Sequence, residues 1–549
     1  MWTPRREAYL MGLVAALPTL PYLLTVVGAG VPRFGLFGDV ALLEQATRHA
    51  WSGGALLGPY SRFHWHHPGP LFFFVVAPFQ RAFAPSSTGL YVGTWLVCAA
   101  SAAALVTSTR LLARRAHAVA ALIVVLAWLA AFGNVSANPW NPLVVTLPLM
   151  TFLVSAAMLA RGKTAAAPLA AFFGALAAQT HIATVSTVGV CAFAAVASFF
   201  VHARRRRGSA SAPLLARADR RRLAVAAVIT LVVWAPPVVE QLTAEAEGNL
   251  TLVAAFFRHP PAPRRPWGDA LVDWATATSW LPERLARGTL AREAYLPMVT
   301  RWDAMPARAT PTAWTIALAH LALLAVSGFA AKRRRDGASL ALLAMGALAS
   351  VVAWSSLRAV VGTSYYYLAF WTTAGGAVGW LGVLSTAASA ARSAGLARPR
   401  LSARAQRAVA VAALVACAWT TAAQTAWLSR SPAAPMSYPL ARDALREAHA
   451  DLRARLGSER TAVVHVEGAW DVAQAMVLEL EKDGVDVRVP RAERWLYAGV
   501  RSPDGAPQPL HVWFSTAALP LERARCLDAP ATHGEISTYT SPRDLGPCE

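Results

Sequence analysis

Eleven apolar stretches close to the length of a bilayer core dominate this chain. They cover roughly 8–29, 87–109, 117–133, 142–160, 164–180, 182–201, 222–242, 312–331, 338–355, 361–386 and 408–428. A helix needs about 20 consecutive apolar residues to cross the hydrocarbon layer. A chain written this way folds as an α-helical polytopic membrane protein. The low charged fraction, 15%, against about 25% in soluble domains, excludes a soluble enzyme of this size. A twelfth apolar run, 70–84, is short and contains Pro78, so it reads as a re-entrant or interfacial helix.

The net charge of +21 would suit nucleic acid, but its distribution argues against that partner. With the N-terminus cytosolic, the inner segments are 1–7, 110–116, 161–163, 202–222, 332–337 and 387–407. They hold 24 Lys and Arg against three acids, while the tail 429–549 holds 14 basic and 17 acidic residues. The basicity therefore marks orientation, with Arg204–Arg207 and Lys332–Arg335 as inner-face determinants. No nucleic acid is needed to explain it. The first stretch follows Arg5 and Arg6 and also has features of a signal peptide. Its length and its two prolines, Pro18 and Pro21, favour an uncleaved helix.

The expected division is a transmembrane domain, 1–428, and an extracytoplasmic α/β domain, 429–549, behind the linker SRSPAAPMSYP. The transmembrane part carries two large outer loops, 30–86 and 243–311. In the tail, 461–468, 485–490 and 510–517 read as strands and 471–484 as an amphipathic helix. Five cysteines exclude a disulfide scaffold. Cys526 and Cys548 could pair in an oxidising compartment, and Cys98, Cys191 and Cys417 read as packing residues.

The densest polar cluster lies in the first outer loop, FGDVALLEQATRHAWSGGALLGPYSRFHWHHPGP, residues 37–70. Asp39 follows the first span directly. Glu44 continues its segment, and Tyr60, Arg62, His64, Trp65, His66 and His67 come after it. Polar groups at a membrane surface are functional candidates by default. A half-desolvated carboxylate there suits general-base work near neutral pH. Arginine and histidine could hold a phosphate, and Trp65 and Tyr60 could stack on a sugar. Bland readings stand beside these: Asp39 as a helix N-cap, and the histidines as a structural network. No ligand spacing identifies a metal, so the metal is unknown and a divalent cation is left open as the only cofactor.

These residues carry a resemblance. FGDVALLE (37–44) resembles the segment that holds the catalytic aspartate in the GT-C superfamily. These are integral membrane glycosyltransferases that use polyprenyl-phosphate sugars, such as protein O-mannosyltransferases and lipid A aminoarabinose transferases. Asp39 is the matching position. HHPGPLFFFVVAPF (66–79) is similar to the family's juxtamembrane helix. The resemblance covers roughly 8–240. It implies a GT-C-like membrane fold and an inverting single displacement on the outer face. Asp39 is then the base, and a lipid, glycan or protein is the acceptor. It also implies a cell-envelope role in a bacterial plasma membrane. Many relatives carry a second acid in the next outer loop, where this chain has NVSANPWNP (134–142). Asn138, Trp140 and Asn141 there are candidate sugar contacts, or a plain Asn-Pro turn.

Other outer-face candidates are His181 beside Gln179, then Glu240, Gln241 and Asn249, and Arg358, which suits a lipid phosphate or simple anchoring. Tyr365–Tyr367 read as an aromatic belt. The sequons at Asn134 and Asn249 matter only in a eukaryotic secretory membrane. A non-catalytic carrier or flippase of lipid-linked sugar, or an envelope assembly component, is the competing reading, and a polysaccharide polymerase or ligase is a third.

Overall fold

A computed structural model describes residues 3–136, 138–206, 215–244, 246–286, 304–393, 441–457, 461–497, 509–517 and 529–542, with isolated positions between them. Nine helices among these are long and apolar enough to cross a membrane. They are Pro4–Ala29, Thr88–Leu112, Arg115–Gly133, Asn141–Ala160, Ile182–Arg205, Arg217–Thr243, Pro311–Arg333, Gly337–Leu357 and Tyr366–Ser393. Each coincides with one of the eleven expected stretches. Of the remaining two, Thr164–Thr180 is a shorter helix. It is bounded by Gly162 at φ 76° and by His181 in an extended conformation. Its length is about 26 Å at 1.5 Å per residue. The stretch 408–428 lies almost wholly outside the described residues, as do Cys417, Cys526 and Cys548. The run 70–84 forms a helix over Leu71–Ala82 with Pro78 inside it, too short to span.

Contacts divide the chain into two bodies, 1–24 with 94–428, and 25–93 with 429–549. The first is the helical membrane body. Asn141–Ala160 is its central helix, 94% buried across its apolar window. Its threonine hydroxyls bond to backbone carbonyls, as Thr151 does to Leu147 and to Ser101, which satisfies them without water. Gly337–Leu357 and Thr373–Ser393 cross closely. A Cβ on Gly346 would lie 2.5 Å from the Gly379 nitrogen, the small-residue contact that lets membrane helices approach. Arg217–Thr243 is peripheral, 6% buried, and turns Leu231 and Val232 outward. Only an apolar solvent accommodates such a face, and the chain is an integral multi-pass membrane protein. Pro237 in this helix has no N–H for the Val233 carbonyl one turn back. The buried Gln179 amide fills that place, donating to Val233 O at 2.7 Å.

The second expected outer loop, 243–311, contains helical structure among its described residues. It forms helices Asn249–Arg258 and Trp267–Ala286. Asp273 on the second is fully buried and takes a bidentate contact from Arg265, at 2.9 and 3.1 Å. Ser364 donates to the same carboxylate at 2.9 Å. A buried carboxylate is tolerated when it is paired and hydrogen-bonded in this way.

The second body joins the first outer loop to the tail. The loop contributes helix Gly38–Trp51, the hairpin strands β1 (Tyr60–Ser61) and β2 (Trp65–His66), and the helix Leu71–Ala82. The tail contributes helices Ala441–Leu456 and Trp470–Lys482. It also supplies strands β3 (Ala462–Gly468), β4 (Val487–Arg488), β5 (Leu510–Ser515), β6 (Ala531–His533) and β7 (Ile536–Ser541). The sheet order is β4-β3-β5-β7-β6. β3 runs parallel to β4 and β5, and β7 is antiparallel to β5 and β6. The expected tail strands and helix are present, and β6 and β7 are additions. The division of contacts differs from the split expected at 428, because the loop 30–86 groups with the tail. One apolar core contains Phe37 and Leu42 of the loop together with Leu445, Val472, Met476 and Phe514 of the tail.

A polar network ties the same two segments. Lys482 Nζ lies 3.2 Å from Glu44 Oε1 and 2.9 Å from Glu479 Oε1, and all three side chains are at most 1% exposed. Gln80 donates to Glu44 at 3.1 Å, and Lys482 to Ser87 Oγ at 2.9 Å. Arg33 pairs with Glu479 at 2.8 Å and also with Asp483.

Breaking one member of a buried pair costs about 3–5 kcal/mol, whereas replacing both with apolar groups is often neutral. Lys482→Met should therefore lower the thermal unfolding temperature of the detergent-solubilised protein sharply. Lys482→Met combined with Glu44→Leu should recover much of the loss. Equal unfolding temperatures for wild type and Lys482→Met would contradict the network.

Candidate functional site

Asp39 sits in the first turn of Gly38–Trp51, whose N-cap is Phe37. The N-cap reading of Asp39 is therefore corrected: it is the second helical residue. The helix begins on glycine for two reasons. Gly38 has φ +51°, and a Cβ there would lie 3.2 Å from the Trp470 ring. The Asp39 side chain is half-buried, and Tyr60 donates its hydroxyl to Asp39 Oδ1 at 2.5 Å. That bond fixes the orientation of the carboxylate.

Tyr60 is held by the β1–β2 hairpin, in which Tyr60 pairs with His66 and Ser61 with Trp65. The three-residue turn Arg62-Phe63-His64 ends with His64 at φ 61°, a left-handed position usually given to glycine. His64 donates its N–H to Ser61 O at 3.1 Å. Its exposed ring stacks on Trp495 of the tail, with centroids 4.0 Å apart and planes at 24°. Arg62 is exposed and lies over Phe63.

The other loop residues are interior. His66 is 6% exposed, and its ring nitrogens face the carbonyls of Gly58 at 3.0 Å and Trp495 at 2.5 Å. Burial lowers its pKa, against the pull of those carbonyls. His67 is equally buried, with its backbone N–H on Pro59 O at 2.7 Å. Trp65 is 4% exposed and meets the His67 ring edge-on at 5.5 Å. Glu44 belongs to the Lys482 network. A small apolar cleft lies between the hairpin, the Asp39 helix and the tail, lined by residues that include Leu42, Ala46, Tyr60, His66, Phe73 and Leu496.

The remaining candidates belong to the membrane body. Asn138 is fully buried, and its Oδ1 accepts from Trp140 N at 2.9 Å, the side-chain turn expected before a structured Pro. Trp140 is 2% exposed and packs on Tyr367 at 4.5 Å. Asn141 donates to Thr180 O at 3.4 Å. His181 caps the turn Ile182–Thr184, its Nδ1 accepting from Ala183 N at 3.2 Å. Arg358 lies with its guanidinium 4.7 Å from the Trp267 ring centre. Among the described residues, no cluster of three His, Cys, Asp or Glu is suited to a metal ion. Trp470, Lys482 and Trp495 were not read from the sequence. They lie more than 380 positions from the loop 30–86, and no motif marks them.

Burial pushes the His181 imidazole down to about 3, so the folded protein holds it neutral while the unfolded chain protonates near 6.5. Its contribution to stability is complete above about pH 6.5 and is lost as pH falls toward 3, by up to 1.4 kcal/mol per pH unit. His181→Asn, which keeps an acceptor, should flatten the fall in unfolding temperature between pH 7 and 5. An unchanged pH profile would contradict this.

No family model matches the sequence, and no curated protein matches it. Among solved structures the chain is similar to ArnT from Cupriavidus metallidurans in the apo state, with a TM-score of 0.45 and 11% identity over 95% of this chain and 97% of that one. It is likewise similar to ArnT from Cupriavidus metallidurans bound to undecaprenyl phosphate, with a TM-score of 0.44, 11% identity and the same coverage.

Proposed function

We propose that this protein is a membrane glycosyltransferase that moves a sugar from a polyprenyl-phosphate donor to an acceptor at the outer face of the membrane. One observation carries the reading. The acid that directly follows the first span is fixed by a tyrosine hydroxyl, on the helix that walls an apolar cleft. The GT-C resemblance of FGDVALLE and HHPGPLFFFVVAPF supports it, and the charge pattern of the inner segments supports the outward placement.

In this mechanism Asp39 accepts the proton of an acceptor hydroxyl as that oxygen bonds to the anomeric carbon. The bond from that carbon to the phosphate oxygen breaks, polyprenyl phosphate departs, and the centre inverts. Tyr60 keeps the carboxylate aimed. Exposed Arg62 is the phosphate partner within this body, and Arg358 is the candidate from the membrane body. His66 and His67 are buried on backbone carbonyls and serve the hairpin. No step is assigned to a metal. The acceptor is a lipid, glycan or protein hydroxyl, and the setting is a bacterial plasma membrane.

The second reading, a carrier of lipid-linked sugar, draws on Asn138 standing where many relatives have a second acid. Purified protein with radiolabelled polyprenyl-phosphate pentoses and hexoses separates the two. The transferase reading expects sugar hydrolysis or transfer, and a loss of about 10²–10⁴ in rate for Asp39→Asn with an unchanged unfolding temperature. Full turnover in Asp39→Asn would overturn it, and sugar movement across vesicles without cleavage would favour the carrier.

A further inference from the structure

Trp495 of the tail packs in part against the apolar core and also reaches the Asp39 region through Tyr60. Trp495 is held firmly by its backbone. Its carbonyl receives His66, and the next two residues, Leu496 and Tyr497, are buried in the core. Its ring is only half-buried. One neighbour is the exposed ring of His64, lying nearly flat against it. Another is Tyr60, with centroids 6.3 Å apart, whose hydroxyl binds Asp39. Leu496 lines the same cleft as Tyr60 and His66.

His64 reaches the stack from a left-handed backbone, which is unfavourable for a non-glycine residue. A glycine would close the hairpin turn without that strain. The position therefore holds a ring at the surface at some cost. Arg62, Arg491 and Arg494 are exposed nearby in sequence. The assembly has a flat, rigid apolar plate, a polar rim and a carboxylate one tyrosine away. A sugar ring has matching parts, an apolar C–H face and a rim of hydroxyls, and large rigid rings with polar edges suit such a ligand.

We propose that Trp495, backed by His64, is a sugar-stacking plate of the site, so that the C-terminal tail contributes directly to substrate specificity. The inference rests on the transferase reading and deepens it. The ligand is a pyranose or furanose ring, carried on the donor or on the acceptor.

The test uses full-length protein in detergent. Its probes are short-chain polyprenyl-phosphate pentoses and hexoses, with sugar-free polyprenyl phosphate alongside. The wild type should bind at least one glycosylated probe more tightly than the sugar-free lipid. Trp495→Ala should weaken that binding by about tenfold and leave the sugar-free lipid within about twofold. Trp495→Phe should restore most of the loss. His64→Gly, which relieves the backbone, should fold normally and show a smaller loss. If the ring belongs to the acceptor, donor binding stays constant. The KM for a glycan acceptor then rises about tenfold, with kcat little changed. Unchanged donor binding together with unchanged acceptor KM in Trp495→Ala overturns the plate alone. A wild type that neither distinguishes glycosylated lipids nor turns them over sinks the transferase reading, and this inference with it.

Discussion

The ammonium of Lys482 sits between the carboxylates of Glu44 and Glu479, with all three side chains sealed from solvent. Desolvating these charges is costly, and their attraction offsets the cost only when geometry and added hydrogen bonds are good. Ser87, Gln80 and Arg33 supply those bonds. The arrangement joins residues 395 positions or more apart in the chain. It fixes the helix Gly38–Trp51 midway along its length, and Trp470 closes on its glycine start. The carboxylate of Asp39 stands on a helix gripped at both places. The tail is thus part of the body that bears the candidate site.

The membrane body follows a different logic. Its central helix is almost wholly buried and returns its threonine hydroxyls to backbone carbonyls, while its peripheral helix leaves Val and Leu facing outward. Where helix geometry fails, at Pro237, a buried glutamine repairs it. Buried Asp273 is paired with Arg265 and Ser364. Asn138, Asn141 and His181 also each bond to nearby backbone.

The spans were legible because bilayer thickness imposes a length that composition alone reveals. Short elements were less so. Even so, the stretch 164–180 forms a helix over the residues read for it, Thr164–Thr180, between Gly162 and His181. The β1–β2 hairpin has Arg62-Phe63-His64 at its turn, with none of the usual turn residues, so no local signal announced it. The place of Asp39 after the first span is plain in the sequence, but the bond that Tyr60 makes to it is not, because Tyr60 reads there only as a ring to stack on a sugar. Glu44 is grouped with them by its nearness in the sequence. Five residues along a helix, however, rotate it about 140° from Asp39, and the structure finds it on Lys482. Trp470, Lys482 and Trp495 were out of reach, because their roles arise from contacts made across most of the chain.

Everything proposed for the first loop requires it to face the side opposite the arginine-rich turns. Ser52 is exposed beside the Asp39 helix, and Arg334 is exposed in an expected inner turn. Single cysteines at these positions, in a background lacking the native ones, can be labelled in spheroplasts with a membrane-impermeant maleimide. The account predicts labelling of Ser52→Cys in intact spheroplasts, and of Arg334→Cys only after permeabilisation. The reverse pattern would place Asp39 on the cytosolic side and contradict it.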